Sequence, residues 1–109
     1  MSNNKYSLRY LPIFYDDLNE KVHYIAFEKK NPEAANRLID AIENAIMERL
    51  PMAESFEQYQ SRISRPYPYY RIYVGNFIVF YVVIDDDSDN KIMEVRRLLY
   101  NRQDRDNIL

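Results

Sequence analysis

The sequence contains no cysteine and no tryptophan, one histidine and one glycine. Each shortage removes a class of chemistry. Without cysteine there is no disulfide, no thiolate nucleophile and no cysteine-ligated zinc. The absence fits a reducing compartment, and a cytoplasmic location is expected. The lone His23 excludes histidine-clustered metal sites. The lone Gly75 excludes the glycine-rich cradles that hold phosphates, which need several glycines. No metal and no cofactor is expected. No apolar run approaches the roughly 20 residues that span a bilayer. The first ten residues, MSNNKYSLRY, lack the apolar stretch of a secretory signal. A membrane partner is not expected.

What is present is one domain's worth of chain. The 109 residues are 47% hydrophobic and 29% charged, the balance of a globular domain and not of a disordered segment. Residues 1–109 are expected to form a single domain. A chain this short buries about two-thirds of its unfolded surface. Function is therefore expected on an open face that a partner completes. Tyrosine is in excess, with 11 against 5 phenylalanines. The formal net charge of −2 conceals a local basic stretch: residues 62–84 carry Arg62, Arg65 and Arg71 and no acid, while the segments on either side are acidic. Arg96, Arg97, Arg102 and Arg105 could extend this patch in space. Arginine is the cation suited to bidentate phosphate or carboxylate contacts.

Along the chain, Lys5–Leu11 alternates Tyr6, Leu8 and Tyr10 with polar residues, which predicts a strand with one apolar face. Pro12 suits the first turn of a helix. Phe14, Leu18, Val22 and Ile25 then recur at helical spacing up to Lys30. Asp16, Asp17 and Glu20 fall in the early turns and Lys29 and Lys30 in the last, complementing the helix dipole. Asn31-Pro32-Glu33 is a second helix start. Ala35, Leu38, Ile42, Ala45, Ile46 and Leu50 form its apolar stripe, and Pro51 ends it. The short link between the helices predicts an antiparallel hairpin. Residues 52–68 lack a clean period and read as a loop with a helical turn near Glu54–Tyr59.

The second half reads as β. Tyr69–Val74 alternates, Gly75-Asn76 fits a two-residue type II′ turn, and Phe77–Ile84 is an unbroken apolar run expected to be buried on both faces. Asp85–Asn90 is a polar turn; its aspartates lack the glycine and terminal glutamate of a calcium loop. Lys91–Tyr100 is the last strand and Asn101–Leu109 a charged tail. The expected fold class is α+β: an N-terminal strand, a helix hairpin and a three-stranded antiparallel meander, with both helices on one sheet face.

Strand parity assigns the faces. Ile72, Val74, Met93 and Val95 should meet the helices. Tyr69, Arg71, Tyr73, Glu94, Arg96, Leu98 and Tyr100 should lie opposite. That open face joins an apolar centre to arginine and tyrosine, which marks a binding surface. Tyr6, Tyr24 and Tyr81 are expected in the core or at its edge. His23 is expected to be structural or exposed.

The pattern resembles the RelE/ParE superfamily of toxins from bacterial type II toxin–antitoxin systems. The resemblance rests on Tyr10-Leu11-Pro12 with Phe14, Asp17, Leu18, Tyr24, Ile25 and Ala26. It continues through Asn31-Pro32-Glu33-Ala34-Ala35, Leu38, Ile42 and Ile46, the strand pair Tyr70–Tyr81, and Arg97–Asp104. It covers roughly residues 6–104 and implies two helices on an antiparallel sheet. It also implies a growth-inhibiting toxin of plasmid-stabilising type, neutralised by a cognate antitoxin in a hetero-oligomer. RelE-like members cut mRNA in the ribosomal A site with basic residues on the concave sheet face; ParE-like members inhibit DNA gyrase.

By this resemblance Arg71 and Arg102 match basic positions and are the candidate catalytic residues. Tyr69, Tyr73, Arg96, Tyr100, Arg62 and Arg65 are candidates for binding target or antitoxin. Tyr73 falls where ribonuclease members often carry lysine, Ile78 where several carry arginine, and no tyrosine or histidine follows Asp104. The RelE-type catalytic set is incomplete. That places gyrase inhibition slightly ahead of ribosome-dependent mRNA cleavage and leaves enzymatic activity open.

Overall fold

In the computed structural model, residues 5–59, 65–85, 89–102 and 108–109 are described. The chain begins with strand β1 (Tyr6–Tyr10) and enters helix α1 (Pro12–His23) at Pro12, in its first turn as the sequence predicts. No acid lies in that first turn, so Asp16, Asp17 and Glu20 do not cap the dipole as expected. The regular helix also stops seven residues early. Tyr24–Glu28 widens into a π-helix, with the Lys29 N–H donating to the Tyr24 carbonyl at 3.1 Å. Lys30 then takes a positive φ of 51°, and the chain reverses into helix α2 (Pro32–Arg49). Asn31 caps α2 as predicted, its side chain accepting the Ala34 amide at 3.1 Å. Ala35, Ile42 and Ile46 form the buried stripe. A 3-10 turn at Leu50–Met52 follows.

Four further strands complete a five-stranded mixed sheet: β2 (Gln58–Tyr59), β3 (Tyr69–Val74), β4 (Phe77–Ile84) and β5 (Lys91–Tyr100). The order is β1-β5-β4-β3-β2. The predicted meander of β3, β4 and β5 is present and antiparallel, and β1 joins its edge parallel to β5. Residues 58–59 form a strand on β3, where the sequence reading placed a helical turn. Gly75 has φ +58° while Asn76 keeps negative φ, the combination a type II′ turn requires.

The sheet carries apolar residues on both faces. The larger core lies under the helices and gathers Phe14, Ile42, Ile46, Ile72, Val79, Tyr81, Met93 and Val95. A smaller cluster on the opposite face contains Tyr69, Ile78, Phe80, Val82 and Leu99, with Ile108 and Leu109 packed against it. Phe77–Val83 is buried throughout, as an unbroken apolar strand sandwiched between two clusters must be.

One irregularity overturns part of the face assignment. Phe80 pairs with Arg97 but Tyr81 pairs with Val95, leaving Arg96 unopposed in a β-bulge. The extra residue inverts the side-chain phase of β5 beyond it. Leu98 and Tyr100, expected on the open face, therefore belong to the helix side, and Leu99 takes the open face. Tyr24, expected near the core, is 43% exposed; Tyr6 and Tyr81 are buried as expected.

Candidate functional site

The open face of the sheet presents an arginine–tyrosine array built on β2 and β3. Phe80 forms its floor, with the Tyr59 and Tyr69 rings edge-on to it at 5.6 and 6.0 Å between centroids. The Arg71 guanidinium lies 5.3 Å from the Tyr59 centroid and 5.8 Å from that of Tyr73. Such contacts hold a cation over ring faces while leaving its N–H groups for a ligand. Among the described residues no carboxylate forms an ion pair with Arg71. Tyr73 is the most open member, at 58% exposed. Tyr69, expected as a contact residue, is buried and serves as packing. Arg65 lies 5.2 Å from the Tyr69 ring. Arg62 and Arg105 lie outside the described residues.

Beside this array sits a charge cluster that sequence reasoning missed. Glu94 is buried and accepts from Arg9 Nε and Arg96 Nε, both at 2.7 Å. Burial pushes the Glu94 carboxyl up, but the hydrogen bonds from Arg96 and Arg9 outweigh it and hold it below the usual carboxylate range. Burial likewise pulls Arg96 down, and its bonds to Glu94 and Tyr69 raise it past the starting value. Arg96 is thus on the open face as expected, but its charge is already committed to Glu94. Arg9 became a partner only through the parallel register Arg9↔Glu94, which no local pattern announces.

Tyr100 and Arg102 occupy a different place. The Tyr100 ring packs on Phe77 at 4.7 Å and lies 5.2 Å from the Lys21 ammonium of α1. Arg102 lines a hollow with Tyr100, Asn76 and Asn101. Arg71, the other arginine expected to act with Arg102, is not among the described residues that line this hollow. His23 is exposed and packs against Phe27, the rings tilted by 38° with centroids 4.6 Å apart. No cluster of metal-ligating side chains exists among the described residues, and no helix among them is long and apolar enough to cross a membrane.

Two helices on one face of a five-stranded mixed sheet is the fold expected of the RelE/ParE toxins. Residues 8–105 match the family described as the ParE toxin of the type II toxin–antitoxin system parDE. The chain belongs to that family. It is accordingly a toxin of a type II system, whose partner is a cognate antitoxin. A search of curated proteins finds no match.

Proposed function

We propose that this toxin acts by binding and inhibiting DNA gyrase, and that Arg71 and Tyr73 on the open sheet face make the contact. The observation that carries this reading is the separation of Arg71 from Arg102. Cleavage of a phosphodiester requires an acid, a base and a charge-stabilising group converging within hydrogen-bond reach of one phosphate. Here, among the described residues, the Arg71 guanidinium meets ring faces, Arg96 is tied to Glu94, and Ile78 is fully buried. A half-exposed arginine flanked by tyrosines is instead the composition of a protein-binding hot spot.

Two assays test the proposal side by side. Purified toxin added to gyrase should suppress supercoiling and accumulate cleaved DNA, and its antitoxin should reverse both effects. Primer extension on translated mRNA should show no new A-site cuts. Ribosomal cuts with unaffected supercoiling would transfer the protein to the mRNA-cleaving reading.

A further inference from the structure

Strand β1 leaves one edge of the sheet open. In its parallel ladder with β5, the Leu11 amide donates to the Val95 carbonyl and the Lys91 amide to the Lys5 carbonyl. With the register running from Tyr6↔Lys91 to Tyr10↔Val95, Ser7 and Arg9 turn their N–H and C=O groups toward β5. Tyr6, Leu8 and Tyr10 turn theirs away from it. β1 ends the strand order, and among the described residues no backbone hydrogen bond reaches those outward groups. The opposite edge is blunted: β2 pairs with Tyr69 and Tyr70, and Arg49 donates to the Arg71 carbonyl at 3.0 Å. Proline, lysine or a bulge commonly protects a sheet edge. Tyr6–Tyr10 contains none of them, and its one charge, Arg9, is turned onto the buried Glu94 at 2.7 Å.

This edge is complementary to itself. Leu8 is the middle residue of the strand, and its backbone groups point outward. Antiparallel pairing about Leu8 sets the two Leu8 residues against each other and each Tyr6 against the Tyr10 of the second copy. All three positions direct both N–H and C=O outward, so each facing pair exchanges two hydrogen bonds. On the helix side, Tyr6 of the second copy arrives beside Tyr10. There Tyr10 lines a groove of about 340 Å³ with Tyr15, Ile42, Glu43, Ile46 and Met47. Tyr15 and Met47 are 49% and 51% exposed, apolar surface next to the edge that a second copy would cover. On the open face, Ser7 stands opposite Arg9, so no like charges meet directly across the dyad.

We propose that this chain forms a two-fold symmetric dimer through β1, joining two sheets into one. An interface that pairs one surface with itself closes at two copies. Both helix hairpins then lie on one side of the joined sheet and both Arg71–Tyr73 arrays on the other. The inference is independent of which target the toxin inhibits.

The test follows light-scattering mass and amide hydrogen exchange of the purified chain from about 1 μM to about 1 mM. The mass should rise from 13.2 kDa toward twice that value. The amides of Tyr6, Leu8 and Tyr10 should gain protection with concentration, while those of Ser7, Arg9 and Leu11 stay protected throughout by β5. Ser7 is exposed, its hydroxyl accepting from Asn90, and it gives a two-sided check. Ser7→Arg places like charges opposite Arg9 twice and should weaken dimerisation about threefold to tenfold; Ser7→Glu should tighten it by a similar factor. Thermal unfolding checks that both variants are folded. A chain that stays monomeric over the whole range overturns the proposal, as does association that protects Tyr73 and leaves Leu8 exchanging. Variants that shift together, or not at all, overturn it too. An edge that closes only when the antitoxin is added also overturns it, and assigns β1 to the antitoxin.

Discussion

Asp17 on α1 and Arg97 on β5 form a two-point ion pair, Nε to Oδ2 at 2.7 Å and Nη2 to Oδ1 at 2.9 Å. The same Oδ2 accepts the Leu98 amide at 2.9 Å. β1 pairs with β5 only as far as Tyr10↔Val95, so the carboxylate serves the strand edge where β1 has run out. Asp17→Ala would leave a mostly buried guanidinium and a buried amide unmatched. It should lower stability by about 3–5 kcal/mol, read from urea unfolding at neutral pH. A loss below about 1 kcal/mol would class the pair with solvent-screened surface bridges.

Stability should be sensitive to acid. Glu94 is held low despite its burial by Arg96 and Arg9, and Glu54 is lowered chiefly by its hydrogen bond from Lys91. A carboxyl lowered by folding binds fewer protons in the folded chain than in the unfolded one, so stability falls as pH falls. The contribution is complete above the unfolded value of about 4.3 and disappears as pH drops through the folded values. Denaturation midpoints measured from neutral pH down to about pH 3 should decline across that window. Glu94→Gln should have a shallower decline, and an unchanged slope would contradict the assignment.

Tyr81 joins the sheet to the turn after α2. Its hydroxyl donates to the Ala53 carbonyl at 2.7 Å and accepts from Arg49 at 2.9 Å. Tyr81→Phe preserves the ring and its stacking on Tyr70 but leaves the Ala53 carbonyl unmatched. Calorimetry should show a loss of about 1–3 kcal/mol.

Arg71→Ala separates function from folding. Its contacts are ring faces at a half-exposed strand position, so stability should change by less than about 0.5 kcal/mol. Gyrase inhibition should weaken at least about tenfold if Arg71 anchors the interface. Arg102→Ala, in the hollow beside Tyr100, should inhibit as the parent does. The opposite ranking of the two variants would move the target contact to the Tyr100 cleft.

The periodic elements were legible because burial dictates their pattern. The Asn31 cap, the Gly75 turn and the doubly buried β4 follow from local chemistry alone. The misplacements arose where partners are distant in sequence. Gln58–Tyr59 is too short to announce a strand and exists only by pairing with Tyr69 and Tyr70. Asp17 resembled a helix-dipole charge because Arg97 is 80 residues away. The π-helix at Tyr24–Glu28 has no proline or glycine to signal it.

The candidate site was legible in part for the same reason. Alternation put Arg71 and Tyr73 on the open face correctly. It failed at Tyr100, since a bulge interrupts counting by twos without leaving a mark in composition. Arg9 and Glu94 were missed together, because each looks like an ordinary solvated strand residue until the parallel register sets them side by side.

The unopposed Arg96 gives β5 two independent addresses. Residues before it are counted in one phase and residues after it in the other, much as an inserted letter shifts a reading frame. A β5 of the same length without the bulge, with Arg96 opposite Phe80, would turn Leu98 and Tyr100 outward and swing Arg97 and Leu99 beneath the helices, exchanging both surfaces at once. With the bulge in place, the helix side keeps Leu98 and Tyr100 while the open face keeps Leu99.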